Sequence, residues 1–217
     1  ALGFQPKENS HIYFQSKNYD VRNLAFELRI EANFSEVSAI YGFSGETCIS
    51  HMESVMAQSA DILHPQLEEY GGPKPVVIPV GADQDPHIKL TRDLAYRMRR
   101  FLVERRGDYI SVRGKAASQE LMQAAESALR GTGLGQVKRY EEHIEITDLQ
   151  LREGQRIDED QQEIEELIIR LETEHGEYGF IPPASIYHRF MTCLTGGKMS
   201  ASKPESYIAL TEDHKAV

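Results

Sequence analysis

Val76-Val77-Ile78-Pro79-Val80-Gly81-Ala82-Asp83-Gln84-Asp85-Pro86 is the stretch that decides the architecture. The run Val76–Val80 is apolar on both faces, the pattern of a strand buried inside a parallel sheet. Pro79 has no amide hydrogen to give to a ladder, which fits a place near the strand's C-terminal end. The strand passes at once through a short loop into a helix, where Asp85 suits an N-cap and Pro86 the first helical position. Ile88, Leu94, Ala95, Met98 and Leu102 follow at helical spacing. Strand, loop and helix in this order argue for an α/β fold built on a parallel sheet with flanking helices. In open sheets of that kind ligands bind beyond the carboxyl ends of the strands, which is where Gly81, Asp83 and Gln84 fall.

Upstream, His11-Ile12-Tyr13-Phe14 reads as a short strand after a turn at Pro6. Asp20 is positioned to cap a helix carrying Val21, Leu24, Ala25 and Leu28, and Asn33 to stop it. Ser35 then caps a second, short helix through Val37 and Ile40 that ends at Gly42. Met52, Val55, Met56 and Ile62 or Leu63 form a third apolar stripe ending before Pro65, and Tyr70-Gly71-Gly72-Pro73 is a turn.

Downstream, the character changes from Gly107 to His175. Ser118 caps a helix with Leu121, Met122, Ala125 and Leu129. Gly131-Thr132-Gly133-Leu134-Gly135 follows a helix rather than a strand, so it reads as a C-cap and turn, not as a dinucleotide loop. Glu141–Thr147 alternates like a strand. The acidic run Arg156–Glu166 opens an amphipathic helix with Ile164, Leu167, Ile168 and Leu171, and Glu166 is spaced to pair with Arg170. Phe180-Ile181-Pro182-Pro183 reads as a strand end or tight loop, and Ala184–Leu194 as a short helix. The expected organisation is an α/β catalytic domain in two parts, 1–106 and 176–217, around an α-rich inserted or peripheral region, 107–175.

Composition sets the outer limits. The 217 residues are 40% hydrophobic and 27% charged, with a mean hydropathy of -0.47. That balance supports a folded core and excludes disorder and bilayer-spanning helices. The net charge of -10 argues against a protein that blankets nucleic-acid phosphates. Arg97, Arg99, Arg100, Arg105 and Arg106 cluster, and read as a dipole-matched helix end ahead of an RNA contact. Cys48 and Cys193 are far apart and suit free, buried thiols in a reducing cytosol rather than a disulfide framework. Ala1-Leu2-Gly3-Phe4 has no secretory pattern, so Asn33-Phe34-Ser35 is a chance glycosylation match, and a cytoplasmic location is expected.

Two loops carry chemistry. Gly81 lets a ligand approach the backbone, Asp83 can accept from ribose hydroxyls, and Gln84 offers a donor and an acceptor to an amino acid or amide. In Lys198-Met199-Ser200-Ala201-Ser202, a lysine among glycines and serines suits charge developing on phosphate. Taken together they resemble the class I aminoacyl-tRNA synthetases. Lys198–Ser202 looks like the second signature of that class, K-M-S-K-S, and Gly81–Gln84 like the G-x-D-Q loop of its tyrosyl and tryptophanyl branch. Asp83–Asp93 and Gly196–Ser206 resemble the tryptophanyl family, in its archaeal and eukaryotic form.

The resemblance implies a Rossmann-like catalytic domain and a two-step reaction. Tryptophan is activated with ATP and its accompanying Mg²⁺, then transferred to tRNA(Trp). It implies roles residue by residue. Gln58 and Gln84 hold the α-groups of tryptophan. Gly81 and Asp83 flank the ATP ribose. Met199 offers backbone groups to adenine, and Lys198, Ser200 and Ser202 face the triphosphate, with Ala201 in place of the pattern's second lysine. No metal-ligating protein site is expected. Homodimers are general in that branch. The first class signature, H-x-G-H, is not in these residues, and the resemblance puts it, with the indole-reading residues, upstream; the anticodon-binding helices would follow Val217. These residues by themselves are therefore expected to be inactive. Two alternatives stay open: a tyrosyl enzyme, against which Asp85-Pro86-His87 and Ala201 count, and a synthetase-like binding protein without catalysis.

Overall fold

The computed structural model describes residues 3–6, 8–149, 157–188, 196–197 and 203. Three helices open the chain: α1 (Tyr19–Glu31), α2 (Phe34–Tyr41) and α3 (Ile49–Leu63). The caps differ from the sequence reading. Asn18, not Asp20, caps α1, accepting from Val21 N at 3.1 Å. Asn33, read as a stop, is the N-cap of α2 and accepts from Glu36 N, so Ser35 lies inside the helix. Gly42 ends α2 at φ 72°, a left-handed position that suits glycine. His11–Phe14 forms no strand; it runs into a 3₁₀ turn at Gln15–Lys17, and Tyr13 reaches over to donate to Asp61 at 3.0 Å.

β1 (Val77–Gly81) and α4 (Asp85–Met98) follow as the pattern predicts, joined by a 3₁₀ turn at Ala82–Gln84. β1 pairs in parallel with β6 (Ala184–His188), from Val77 opposite Ala184 to Gly81 opposite His188. Ala184–His188 is thus a strand, where spacing suggested a helix. Ile186 owes its place to the ladder and not to a helical stripe; Phe190, Cys193 and Leu194 lie outside the described residues. The expected full burial of β1 is also corrected, because Val77 and Pro79 are exposed.

One core gathers α1, α3 and α4 around Leu24, Leu28, Leu63, Leu90, Leu94 and Phe180. Gln66, almost wholly buried, binds the backbone of Ile181 in both directions at 2.8 Å, with its amide donating to the carbonyl and its carbonyl accepting from the N–H. That reciprocal pair fixes the segment just ahead of β6, 115 residues downstream, against the 3₁₀ turn that follows α3.

The second core belongs to an antiparallel sheet ordered β2-β3-β5-β4, made of Phe101–Arg106, Tyr109–Gly114, His143–Thr147 and Gln136–Arg139. Helices α5 (Gln119–Thr132) and α6 (Ile157–Glu174) supply its other apolar side chains. The region expected to be α-rich, 107–175, carries three of these strands as well as two helices among its described residues, and β2 starts the unit at Phe101, ahead of the expected boundary. Leu102, read as the tail of α4, lies on β2, since the helix stops at Met98. Ser118 caps α5 and Gly133 ends it at φ 67°, as the sequence indicates. Glu166 accepts from Gln162 instead of pairing with Arg170.

The arginine cluster is occupied by carboxylates. Arg97 grips Glu36 with two bonds of 2.7 and 2.6 Å, Arg99 binds Glu165 at 2.6 Å, Arg100 binds Glu177 at 2.7 Å and Arg106 binds Glu104 at 2.9 Å. Arg97 stands in the last turn of α4, as expected, and the first three pairs join separate segments of the chain, whereas Arg106 and Glu104 lie side by side on β2. Cys48 is exposed, against the expectation of a buried thiol. No described helix is long and apolar enough to cross a membrane.

Candidate functional site

The carboxyl end of β1 gathers the polar groups that the loop sequence singled out. α3 buries Val55, Met56, Ser59 and Ala60, which leaves Gln58 half-buried and turned toward the loop after β1. Gln58 Nε2 donates to Gln84 Oε1 at 2.9 Å, although the two residues lie 26 apart in the chain. Beyond this bond the pair retains an acceptor on Gln58 and donors on Gln84, groups that can complement an ammonium and a carboxylate.

Asp83 stands beside the pair, its Oδ2 3.5 Å from Gln84 Nε2. Gly81 leaves room for that carboxylate, since a Cβ there would sit 2.6 Å from Asp83 Oδ1 and push it aside. The structure therefore brings Gln58, Gly81, Asp83 and Gln84 together. Lys198, Met199, Ser200, Ala201 and Ser202 lie outside the described residues.

Several side chains that spacing did not flag support the loop. The Tyr41 hydroxyl lies 2.8 Å from His87 Nδ1. Burial pushes the Tyr41 phenol up to about 12 and holds the His87 imidazole below its ordinary range, with Asp83 pulling the other way. Near neutral pH the phenol is thus the donor and an uncharged imidazole the acceptor. Thr91 Oγ1 lies 2.7 Å from His87 O and 3.0 Å from Ser59 Oγ, joining α4 to α3 under the site. Asp85 is not a helix cap. Its carboxylate accepts from the Tyr187 phenol at 2.6 Å and pairs with Lys89 at 2.6 Å. Those two partners, Lys89 first, hold its carboxyl below the usual range. His87 and Lys89 sit in a string the sequence reading quoted, whereas nothing in the sequence points to Tyr41 or Tyr187.

Clefts lined by other residues lie beside the helices. One of about 650 Å³ between α1 and α3 includes Tyr19, Phe26 and Ala57, and another of about 250 Å³ includes Phe34, Val37, Ile49 and Met52. Among the described residues no group of three His, Cys, Asp or Glu side chains is arranged to hold a metal ion.

Comparison with known proteins identifies the lineage of this arrangement. The chain is 54% identical to tryptophan–tRNA ligase of Methanosarcina acetivorans, over 99% of this chain and 47% of that protein. It is 50% identical to tryptophan–tRNA ligase of Archaeoglobus fulgidus, over 98% of this chain and 46% of that protein. The chain thus spans about half the length of these relatives. Its fold is similar to the crystal structure of tryptophanyl-tRNA synthetase from Aeropyrum pernix K1, with a TM-score of 0.53 and 29% identity over 97% of this chain and 36% of that one. The model of the family "tRNA synthetases class I (W and Y)" matches residues 1–126 and 157–217, passing over part of the antiparallel unit. With the fold, the glutamine pair and this match in agreement, the chain belongs to the class I tRNA synthetases of the tryptophan and tyrosine branch.

Proposed function

We propose that this chain is the part of a tryptophan–tRNA ligase that holds the amino acid's α-groups and the ATP ribose and phosphates. The observation that carries the reading is the Gln58–Gln84 amide pair beside Asp83 at the carboxyl end of β1, in a chain so similar to tryptophan–tRNA ligases. In this reading Gln58 accepts from the tryptophan ammonium, and Gln84 donates to its carboxylate. Asp83 accepts from a ribose hydroxyl over Gly81. Met199 meets adenine through its backbone. Lys198, Ser200 and Ser202 face the triphosphate, together with the Mg²⁺ that enters with ATP.

The chemistry needs no protein nucleophile. The tryptophan carboxylate attacks the α-phosphorus, the bond to the bridging oxygen breaks, and pyrophosphate leaves with its electron pair. A ribose hydroxyl at the tRNA(Trp) 3′ end then attacks the activated carbonyl and releases AMP. Catalysis comes from holding the reactants in line and neutralising charge on the departing phosphates. The work takes place in the cytoplasm, by a homodimer. The exposed Phe26, Ile30, Phe34 and Ile49 along α1 to α3 support that assembly, since they form an apolar face of the kind subunits bury. Of the expected division at 1–106, 107–175 and 176–217, the first boundary moves to Arg100: residues 1–100 and 176–217 are the Rossmann-like catalytic part, and 101–175, which begins with β2, is a peripheral unit.

Pyrophosphate exchange on the complete gene product tests the reading. Exchange dependent on tryptophan and not on tyrosine is expected, with none from Ala1–Val217 alone. Equal exchange with tyrosine, or none with either amino acid, would refute it.

A further inference from the structure

The loop that carries Asp83 and Gln84 is not fixed by its own sequence. Neither the Ala82–Gln84 turn nor the start of α4 has a side-chain cap. Gln58 holds Gln84 from α3, and a second hold comes from the neighbouring strand. Tyr187 on β6 donates its phenol to Asp85 Oδ1 at 2.6 Å, from a position 102 residues away. The other oxygen of Asp85 meets Lys89 Nζ, one helical turn further on. Arg92 then ties the second turn to the same strand, with Nε to Pro183 O at 2.8 Å and Nη2 to Ser185 Oγ at 3.1 Å. Because β6 lies parallel beside β1, with Tyr187 opposite Val80, the turn between Gly81 and Asp85 is held at one end by the strand it leaves. The other end is held by the strand next to it. The Tyr187 side chain is exposed and belongs to neither core, so what it contributes beyond the backbone ladder is the phenol bond to Asp85.

We propose that Tyr187, acting through Asp85, is a positioning residue that sets where Gln84 presents its amide to the amino acid. The proposal rests on the reading of Gln84 given above. A phenol-to-carboxylate bond is charge-assisted and short, and its loss lets the turn drift by fractions of an ångström, enough to spoil a hydrogen bond to the substrate.

The test uses the complete gene product. Tyr187→Phe is expected to raise the KM for tryptophan roughly fivefold to tenfold, the scale of one such bond. The KM for ATP and the thermal midpoint are expected to stay where they are. Asp85→Asn keeps an acceptor oxygen and gives a smaller rise, and the double variant is no worse than the larger single one, as two partners of one bond require. Amide hydrogen exchange should quicken at Ala82–Gln84 in Tyr187→Phe and nowhere else. An unchanged tryptophan KM with unchanged exchange overturns the proposal. So does a lowered thermal midpoint with an unchanged KM, which would make Tyr187 a merely structural residue. If Gln84→Ala leaves the tryptophan KM alone, the role given to Gln84 fails instead. Exchange at Ala82–Gln84 then decides by itself whether Tyr187 holds this turn.

Discussion

The antiparallel sheet closes its core, with Ile110, Val112 and Ile144 at 0% exposure, whereas the parallel pair β1–β6 leaves Val77 at 52% and Ile186 at 64%. The two sheets are stabilised differently. In the antiparallel unit β2–β3 and β4–β5 are joined directly in sequence, and a closed apolar core shared with α5 and α6 stabilises it, alongside the Arg99–Glu165 and Phe101–Glu172 bonds. The parallel pair depends on side-chain ties: Arg92 to Pro183 and Ser185, Tyr187 to Asp85, and Gln66 to Ile181. Apolar burial is tolerant of small shifts, whereas directed hydrogen bonds are not. The candidate site stands at the end of the sheet that is held by direction, which is where positioning to fractions of an ångström is needed.

The largest expected effect would sharpen this contrast on the functional side. Lys198→Ala in the complete gene product should slow single-turnover adenylate formation by about 10² to 10³ and weaken tryptophan binding far less. Arg113→Ala, on the antiparallel sheet, should leave that rate within about twofold. Similar losses from both would mean that the chemistry is not confined to the parallel part.

Denaturation by urea addresses the energetic side. Ile144→Ala removes a fully buried side chain and should cost about 2–5 kcal/mol. Val77→Ala, half exposed on the parallel pair, should cost less than about 1 kcal/mol. Comparable costs would erase the distinction between the sheets.

Within the site, Gln84→Ala should raise the tryptophan KM about tenfold and leave the ATP KM nearly alone. Matched rises for both substrates would mean that the whole turn had collapsed, and that the division of roles between Gln84 and Asp83 is wrong.

The smallest effect concerns the helices behind β1. The Arg97 guanidinium holds the Glu36 carboxyl below its ordinary range, through two bonds that join α2 to α4. A lowered folded-state value means that the pair's contribution is present above the ordinary carboxyl pKa and is lost as pH falls through the lowered one. Between about pH 6 and about pH 3 the wild type should therefore lose about 1 kcal/mol more than Glu36→Gln. Parallel stability curves would show that the pair adds nothing.

Sequence legibility followed the range of the interactions. β1, α3, α4 and α5 were readable because apolar spacing and caps such as Ser118 act within a few residues. β6 was mistaken for a helix because Ile186, Phe190 and Leu194 happen to recur at helical spacing, while the ladder to β1 that overrides it is remote. Leu102 extended α4's stripe by the same accident, and β3 and β4 gave no alternation strong enough to notice. Gln84 is legible from its place after the buried strand and Gln58 from family resemblance alone, but the 2.9 Å bond between them is in neither. Tyr41 and His87 lie 46 residues apart and Tyr187 and Asp85 102 apart, separations at which no local pattern exists.

The ion pair between Arg100 and Glu177, 2.7 Å long, has a bearing on how this lineage could vary. It clasps the neck of the antiparallel unit, with the backbone of Phe101 bound to Glu172 just inside. Seen from the parallel sheet, the chain from Arg100 to Glu177 is a single loop whose two ends are already joined. Closing a loop costs entropy only as the logarithm of its length, about 0.6 kcal/mol for each doubling. Length can therefore be gained or lost beyond the clasp at little thermodynamic cost and without moving Gln84, which makes that segment the part of the chain freest to diverge in size.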